Sequence, residues 1–352
     1  MTAKATRPKD APLAPWERDL AQLRWAGVVL IVVGGLAAAL GRAYDVLPAM
    51  VYGGGFAVIA IGLLLLLALF PKTQPYVASL HPRVFFLQTW RELDEEAAAS
   101  RAQRKADGKG YDYRPVLALC VGATCLSLME YFGQGNNLID WVDANYTDDE
   151  IYAYHHWRFF ELSGHAYWAI WRVLGYFLLP VIALKLSGQR IRDNGLETKG
   201  FLEHAWIYAL GFYCVVILVG AVSFEESFSS YYPFYDRAGR SWLDFGMWEL
   251  LYAAQFFSLE FFFRGWWLRS MRSAMGSYAI FAMVVPYCMI HFGKPFPETL
   301  AAIAAGVFLG TLAMKTRSIW SGFLIHVSVA VSMDLASLFQ GDNLPTDWLP
   351  PG

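Results

Sequence analysis

The sequence predicts an all-α fold, a polytopic membrane helical bundle of about nine transmembrane helices. Three observations support this class. Hydrophobic residues make up 56% of the chain, charged residues make up 16% against about 25% in a typical soluble domain, and the mean hydropathy is +0.34. The net charge of -2, with no basic stripe interleaved with aromatic residues, argues against nucleic acid as a partner. The lipid bilayer is therefore the expected environment.

Nine apolar stretches approach the length of about 20 residues that a helix needs to cross the hydrocarbon core of a membrane. The first, seventh and eighth are short. The nine predicted spans are 24–41, 49–70, 115–132, 166–187, 204–222, 247–268, 277–293, 298–314 and 318–339.

The loop charges favour one orientation, because Lys and Arg in short loops are enriched on the cytoplasmic side. With the N-terminus in the cytoplasm, the basic loops 71–114, 188–203, 269–276 and 315–317 all lie inside, and the acidic loop 133–165 lies outside. Loop 71–114 also contains a polar stretch, residues 91–106, that predicts a cytoplasmic helix.

Two parts of the chain are expected to differ in role. Residues 1–203 form N-terminal transmembrane helices with the cytoplasmic helix and the outer loop. Residues 204–352 form the helical core with the polar groups that point to chemistry.

Four titratable residues lie in stretches apolar enough to enter the bilayer: Glu260, Arg264, His291 and His326. Insertion of a charged side chain at bilayer depth costs roughly 2.5 kcal/mol or more of free energy. Such a residue therefore usually has a partner of opposite charge, lines a cavity or has a function. Glu260 and Arg264 are four residues apart on one helical face and can neutralise each other. Their pairing could be structural or functional. Two histidines beside an intramembrane carboxylate favour a functional site.

The same residues carry a resemblance to a known family. Glu260 and Arg264-Gly265 are followed by Tyr287 to His291, a helix rich in small residues, and then His326. In this order the pattern resembles the EExxxR, FxxxH and HxxxN motifs of the CPBP (CAAX protease and bacteriocin-processing) family, over residues 247–339. These are intramembrane glutamic endopeptidases.

The resemblance implies a reaction and a substrate class. In the family, the first glutamate and the FxxxH histidine activate a water, and the last histidine and asparagine stabilise the oxyanion. Neither a metal nor a cofactor is required. The implied partner is a membrane-embedded or lipid-anchored protein substrate, and the implied location is a bacterial cytoplasmic (inner) membrane.

The chain departs from this pattern at two chemical positions. The first glutamate maps to Leu259 and the asparagine to Ala330, while Tyr287 replaces the phenylalanine. Three carboxylates could compensate: Glu260 itself, Glu298 at the start of the next helix, and Asp334 two turns after His326. Each also has a structural alternative, respectively an ion pair with Arg264, a first-turn acid favoured by the helix dipole, and a charge at the membrane edge.

The leading hypothesis is therefore an intramembrane endopeptidase with catalytic residues Glu260, His291 and His326. The supporting residues are Arg264, Tyr287, Glu298 and Asp334. A catalytically inactive scaffold or partner-binding protein is the alternative. A transporter or proton-linked channel that uses the same acids and histidines as a relay ranks last, because the sequence lacks the broken-helix repeats expected of transporters. Histidines in loop 133–165 could suggest zinc, but HExxH is absent, so no metal site is predicted.

Overall fold

The computed structural model describes residues 79, 81–198, 223–224, 226–294 and 296–351, with isolated positions between 201 and 220. Two compact units are distinguished, Met1–Gln88 and Thr89–Gly352. In the first, the described residues include a π-helical turn, Arg83–Gln88. The division of the sequence at residue 203 stays a prediction.

The described part of the second unit contains helices and no strand, which confirms the all-α class. Its longer helices are named here in chain order. They are α1 (Thr89–Ala106), α2 (Arg114–Phe132), α3 (Gly135–Asn145), α4 (Asp148–His155), α5 (Phe160–Leu186), α6 (Trp242–Glu260), α7 (Leu268–Met275), α8 (Tyr278–Met289), α9 (Phe296–Thr316) and α10 (Trp320–Gln340).

Four of the described helices are long and apolar enough to cross a membrane. These are α2, α5, α9 from Thr299, and α10, and they match the predicted spans 115–132, 166–187, 298–314 and 318–339. The predicted span 247–268 is also helical, through α6 and the segment that follows it. The predicted spans 24–41 and 49–70, and most of 204–222, lie outside the described residues.

Helix α8 is shorter than the predicted span 277–293. Pro286 lies inside the helix and removes one backbone donor. After Met289 the backbone turns, and Gly293 adopts a positive φ of 91°, which favours glycine. The end of the predicted span is therefore the turn that leads into α9.

A π-helical segment, Phe261–Trp267, joins α6 to α7 and forms the centre of the core. Every residue of this segment is buried, including five aromatic side chains. Its glycine, Gly265, allows close contact with a neighbouring loop, because a Cβ there would clash with the backbone carbonyl of Asn194. Small residues also bring α9 close to α8, where Gly306 faces Val284 and Tyr287.

The loops that the charge rule assigns to the cytoplasm lie together at one end of the bundle. Asp94 of α1 accepts hydrogen bonds from the backbone and hydroxyl of Ser277, at 2.8 and 3.2 Å. The backbone N–H of Ile319 donates to the carbonyl of Gly195 at 2.9 Å. These contacts join the four loop regions in two pairs, and Glu96 of α1 links the pairs through Arg272 and Arg317. The assignment of this end to the cytoplasm stays a prediction.

The segments predicted to lie outside are also joined. Arg240 donates to the carbonyl of Arg158 at 2.8 Å, which ties the segment before α6 to the outer loop. Trp242 donates through its backbone to the carbonyl of Asp347 at 2.9 Å, which ties the same segment to the C-terminal residues. Both ends of the bundle are therefore closed by polar contacts between segments distant in sequence.

Asp244 organises this second end of the bundle. Its fully buried carboxylate accepts from Arg240 at 2.6 and 2.8 Å, from Ser241 at 2.7 Å and from Tyr235 at 3.0 Å. Burial opposes ionisation of Asp244, but the hydrogen bonds from Arg240 and the two hydroxyls outweigh it and lower the pKa of the carboxyl.

We expect Asp244→Asn to lower the free energy of unfolding by about 2–3 kcal/mol, because it removes an ionic acceptor from buried donors. The pKa of Asp244 is lowered in the fold, so the contribution of the carboxylate is complete above its ordinary pKa of 3.8. It is lost as the pH falls through the lower folded pKa. Thermal unfolding in detergent across this pH range measures the effect, with the exposed neighbour Asp236→Asn as control. Equal stability of the two variants would contradict the prediction.

Candidate functional site

Glu260 and Arg264 form an ion pair inside the helical core. Arg264 donates through Nη1 to Glu260 Oε1 at 2.9 Å, and the two side chains are 0% and 1% exposed. Their spacing of four residues allows this contact along one helix. Because water does not reach the pair, each charge depends on the other for compensation, and loss of either partner would leave a buried charge alone.

His326 approaches the same carboxylate from α10. Its Nδ1 atom lies 3.0 Å from Glu260 Oε1, at ion-pair distance but without the angle of a hydrogen bond. The imidazole stacks on Phe256, with ring centroids 5.2 Å apart and planes inclined by 8°. The ring is therefore held between α6 and α10, and 19% of the side chain is exposed.

Tyr287 connects the three helices that carry the motifs. Its hydroxyl lies 3.2 Å from His326 Nε2, and its ring centroid lies 4.0 Å from Cζ of Arg264. The aromatic face attracts the guanidinium, and the hydroxyl offers a hydrogen bond to the imidazole. Relative to the FxxxH motif, Tyr287 is a mild replacement for phenylalanine. In the structure, the additional oxygen is the atom that links α8 to His326.

His291 lies one turn beyond Tyr287, next to this group. Its Nδ1 atom lies 2.7 Å from the carbonyl oxygen of Tyr287, and the two rings meet edge to face at 4.9 Å. Thr299 donates to the carbonyl of His291 at 2.9 Å, which fixes the turn between α8 and α9. The side chain of Glu298, predicted as a compensating carboxylate, lies outside the described residues.

Asp334 is fully buried two turns beyond His326, and its described contacts are to α6. It accepts from Nε1 of Trp248 at 2.7 Å, and its carboxyl group also interacts with that of Glu249. This places Asp334 against a different part of α6 from Glu260. Its suggested role as a substitute partner for His326 therefore stays a prediction without a described contact.

The two positions that depart from the family motif face apolar surroundings. Leu259 is 5% exposed and belongs to the main hydrophobic core around Phe261 and Trp267. Ala330 is also 5% exposed and packs in a smaller cluster with Trp248 and Tyr252. Both side chains therefore take part in apolar packing.

The histidines of loop 133–165 contact separate partners. His155 contacts Asp143 at 2.8 Å, His156 stacks on Tyr152, and His165 packs against Trp248. In the described part of the chain, no group of three or more His, Cys, Asp or Glu residues is arranged to hold a metal ion.

Gly322 is a site residue that the motifs do not identify. It lies on α10 directly against the carboxylate of Glu260, where an added Cβ would overlap Glu260 Oε2. The absence of a side chain at this position lets α6 and α10 approach closely enough for His326 to reach Glu260. In the sequence, the feature that marks this position is a glycine one helical turn before the histidine, at Gly322 and His326.

We expect Gly322→Ala to push α10 away from Glu260 and to lower the free energy of unfolding by about 1–3 kcal/mol, as overpacked cores do. Gly246→Ala on α6 is the matched control, because a Cβ there meets nothing within 4 Å. Alanine in a helix is favoured over glycine, so the control should be neutral or stabilising. Thermal unfolding of both variants tests this, and an unchanged Gly322→Ala would contradict the close contact.

Comparison with known proteins gives one match. Residues 241–332, about a quarter of the chain, match the family model described as "Rce1-like: Type II CAAX prenyl endopeptidase Rce1-like". The segment includes Glu260, Arg264, Tyr287, His291 and His326 and ends before Asp334. No curated protein and no solved structure matches the chain. The match confirms the resemblance seen in the motifs: residues 241–332 of this membrane protein are similar to the Rce1-like type II CAAX prenyl endopeptidases.

Proposed function

We propose that this chain is an intramembrane endopeptidase that uses His326 and Glu260 to activate water. The observation that carries the proposal is the approach of His326 Nδ1 to within 3.0 Å of Glu260 Oε1 inside a buried part of the bundle. A carboxylate at Nδ1 orients an imidazole and leaves Nε2 available as a base. Catalytic hydrogen bonds in free enzymes are often poorly aligned and tighten when substrate binds.

The other side chains have complementary roles in this proposal. Arg264 compensates the charge of Glu260 and holds the carboxylate in place through its 2.9 Å contact. The hydroxyl of Tyr287 is 3.2 Å from Nε2 of His326. An entering water replaces this hydroxyl at Nε2, and the hydroxyl then donates to the scissile carbonyl beside the base. His291, one turn away, is the second candidate donor.

The reaction follows from this arrangement. His326 Nε2 takes a proton from a water whose oxygen attacks the scissile carbonyl, and Tyr287 donates to the oxyanion that forms. When the carbon–nitrogen bond breaks, His326 returns the proton to the leaving amine. The geometry thus favours His326 as the base and Glu260 as the group that orients it, whereas the motifs alone give the base role to glutamate.

The substrate class proposed is a membrane-associated protein or peptide with a lipid-modified C-terminus. This assignment is supported by the CAAX prenyl endopeptidase description of the matching family and by the position of the site within a membrane protein. The proposed location is a bacterial inner membrane with the N-terminus in the cytoplasm.

The test is cleavage of a farnesylated peptide ending in a CAAX sequence by the full-length protein in liposomes. His326→Gln should lower the cleavage rate by about 10²–10⁴-fold, the usual contribution of a general base. It leaves the buried ion pair of Glu260 and Arg264 intact, so folding should be retained. His155→Gln in the outer loop is the matched control. Cleavage by His326→Gln at the control's rate would overturn the assigned mechanism.

Glu260→Gln should also abolish cleavage, but it leaves Arg264 uncompensated in the core and is expected to cost about 3–5 kcal/mol of stability. Its activity is therefore compared at a temperature where circular dichroism shows the variant to be folded. A folded Glu260→Gln protein with full activity would remove Glu260 from the mechanism.

A second function, a non-catalytic protein that binds a hydrophobic peptide, is favoured by the apolar packing of Leu259 and Ala330. It would bind the farnesylated peptide without cleaving it, and His326→Gln would leave binding unchanged. Product analysis by mass spectrometry after binding separates the two functions.

A further inference from the structure

A polar cavity lies at the end of the bundle that the charge rule assigns to the cytoplasm, away from Glu260 and His326. Its volume is about 550 Å³, and a neighbouring cavity of about 480 Å³ shares Arg269 and Arg272 as lining residues. Residues from all four predicted cytoplasmic loops contribute to these walls, among them Glu96, Arg190, Arg269 and Arg317. The cavities are therefore a product of the fold and not of one loop.

Some of the charges in these walls already have a partner. Arg114 is neutralised by Asp112, to which it donates at 2.8 Å. The carboxylate of Glu96 forms ion pairs with two arginines, Arg272 at 3.3 Å and Arg317. With Arg114 set aside together with Asp112, the described lining residues include four arginines, at 190, 269, 272 and 317, against three carboxylates, at 96, 193 and 197. One positive charge is left over.

Arg269 is an arginine of this wall with two buried donor atoms that are unsatisfied among the described residues. Its Nε and Nη2 atoms are buried, and no described residue accepts a hydrogen bond from either. Burial and the neighbouring charge of Arg317 lower the pKa of Arg269 to about 10, and the attraction of Glu197 and Asp193 only partly opposes this. A guanidinium in this setting is stabilised by an anion.

The rest of the wall suits an oxyanion. A guanidinium presents paired N–H groups that match two oxygens of a phosphate. Ser100, Ser273 and Gln189 add neutral polar groups to the larger cavity. Arg317 has a positive φ of 58°, an uncommon conformation for a residue other than glycine, and lies in the turn between α9 and α10 that closes the second cavity. Basic pockets at the cytoplasmic level of helical bundles are typical sites for lipid head groups.

We infer that this cavity binds a phosphate group, with the guanidinium of Arg269 as its main ligand and Arg272 and Arg317 beside it. The phosphate is carried either by an anionic lipid head group or by a free phosphate ion. Occupancy holds the four loops together at this end of the bundle. The site is separate from the proposed catalytic group, so it does not depend on cleavage activity.

The test measures thermal unfolding of the full-length protein in nanodiscs. One series uses phosphatidylcholine discs with added inorganic phosphate, against potassium chloride at equal ionic strength. The other replaces part of the phosphatidylcholine with phosphatidylglycerol. Stabilisation in the second series alone identifies a lipid head group, and stabilisation in the first identifies free phosphate. Bound anion raises the unfolding temperature because it binds the folded protein.

Arg269→Gln should weaken the apparent affinity for the stabilising phosphate by about tenfold or more, as expected for loss of a charge-assisted contact. Without anion it should be at least as stable as the wild type, since it removes an uncompensated buried charge. Arg192→Gln, an exposed arginine of the same loop region outside the cavity wall, is the matched control and should behave as wild type.

Arg272→Gln is the second variant, to be used if Arg269→Gln does not fold, and it should reduce the same stabilisation. The inference is overturned if neither phosphate source stabilises the wild type. It is also overturned if the stabilisation persists undiminished in the folded Arg269→Gln or Arg272→Gln protein, because binding would then be a general effect of surface charge.

Discussion

The contact between Glu260 and Arg264 is the constraint on which the centre of this bundle depends. Both groups are out of reach of water, so each depends on the other for charge compensation. The core adds an aromatic ring and an imidazole: Tyr287 covers the guanidinium, and His326 meets the carboxylate. Helices α6, α8 and α10 are therefore positioned by one buried charge pair, which is also the group proposed to perform the chemistry.

The two ends of the bundle solve a different problem, because their polar groups lie near water. At one end, Asp244 collects donors from its own helix start and from the preceding segment. At the other, Asp94 and Glu96 tie α1 to the loops that precede α8 and α10. The ion pair of Glu260 and Arg264 is thus a compact charged group between described helices, while the ends have distributed networks. One of these networks leaves the guanidinium of Arg269 in excess.

Much of the architecture could be read from the sequence because hydrophobic length and loop charge act locally. The helices α2, α5, α9 and α10 lie at the predicted positions, and the loops that share a predicted side lie together. The shortening of α8 depended on backbone geometry after Met289. At the site, residue type and spacing identify Glu260, Arg264 and His326. The importance of Gly322, Phe256 and the hydroxyl of Tyr287 depends on which helices become neighbours, and a spacing pattern does not contain that information.

The π-helical segment Phe261–Trp267 begins directly after Glu260 and widens the helix within the motif itself. A π turn accommodates one more residue than an α turn, so side chains on its two sides are out of register with an ordinary helix. The number of residues between two side chains then no longer gives the angle between them around the helix, as it does in a regular α-helix. Because Glu260 lies directly before this turn, an insertion or deletion within the turn would rotate the proposed catalytic carboxylate relative to Arg264 and the residues that follow, while the other helices of the bundle keep their places.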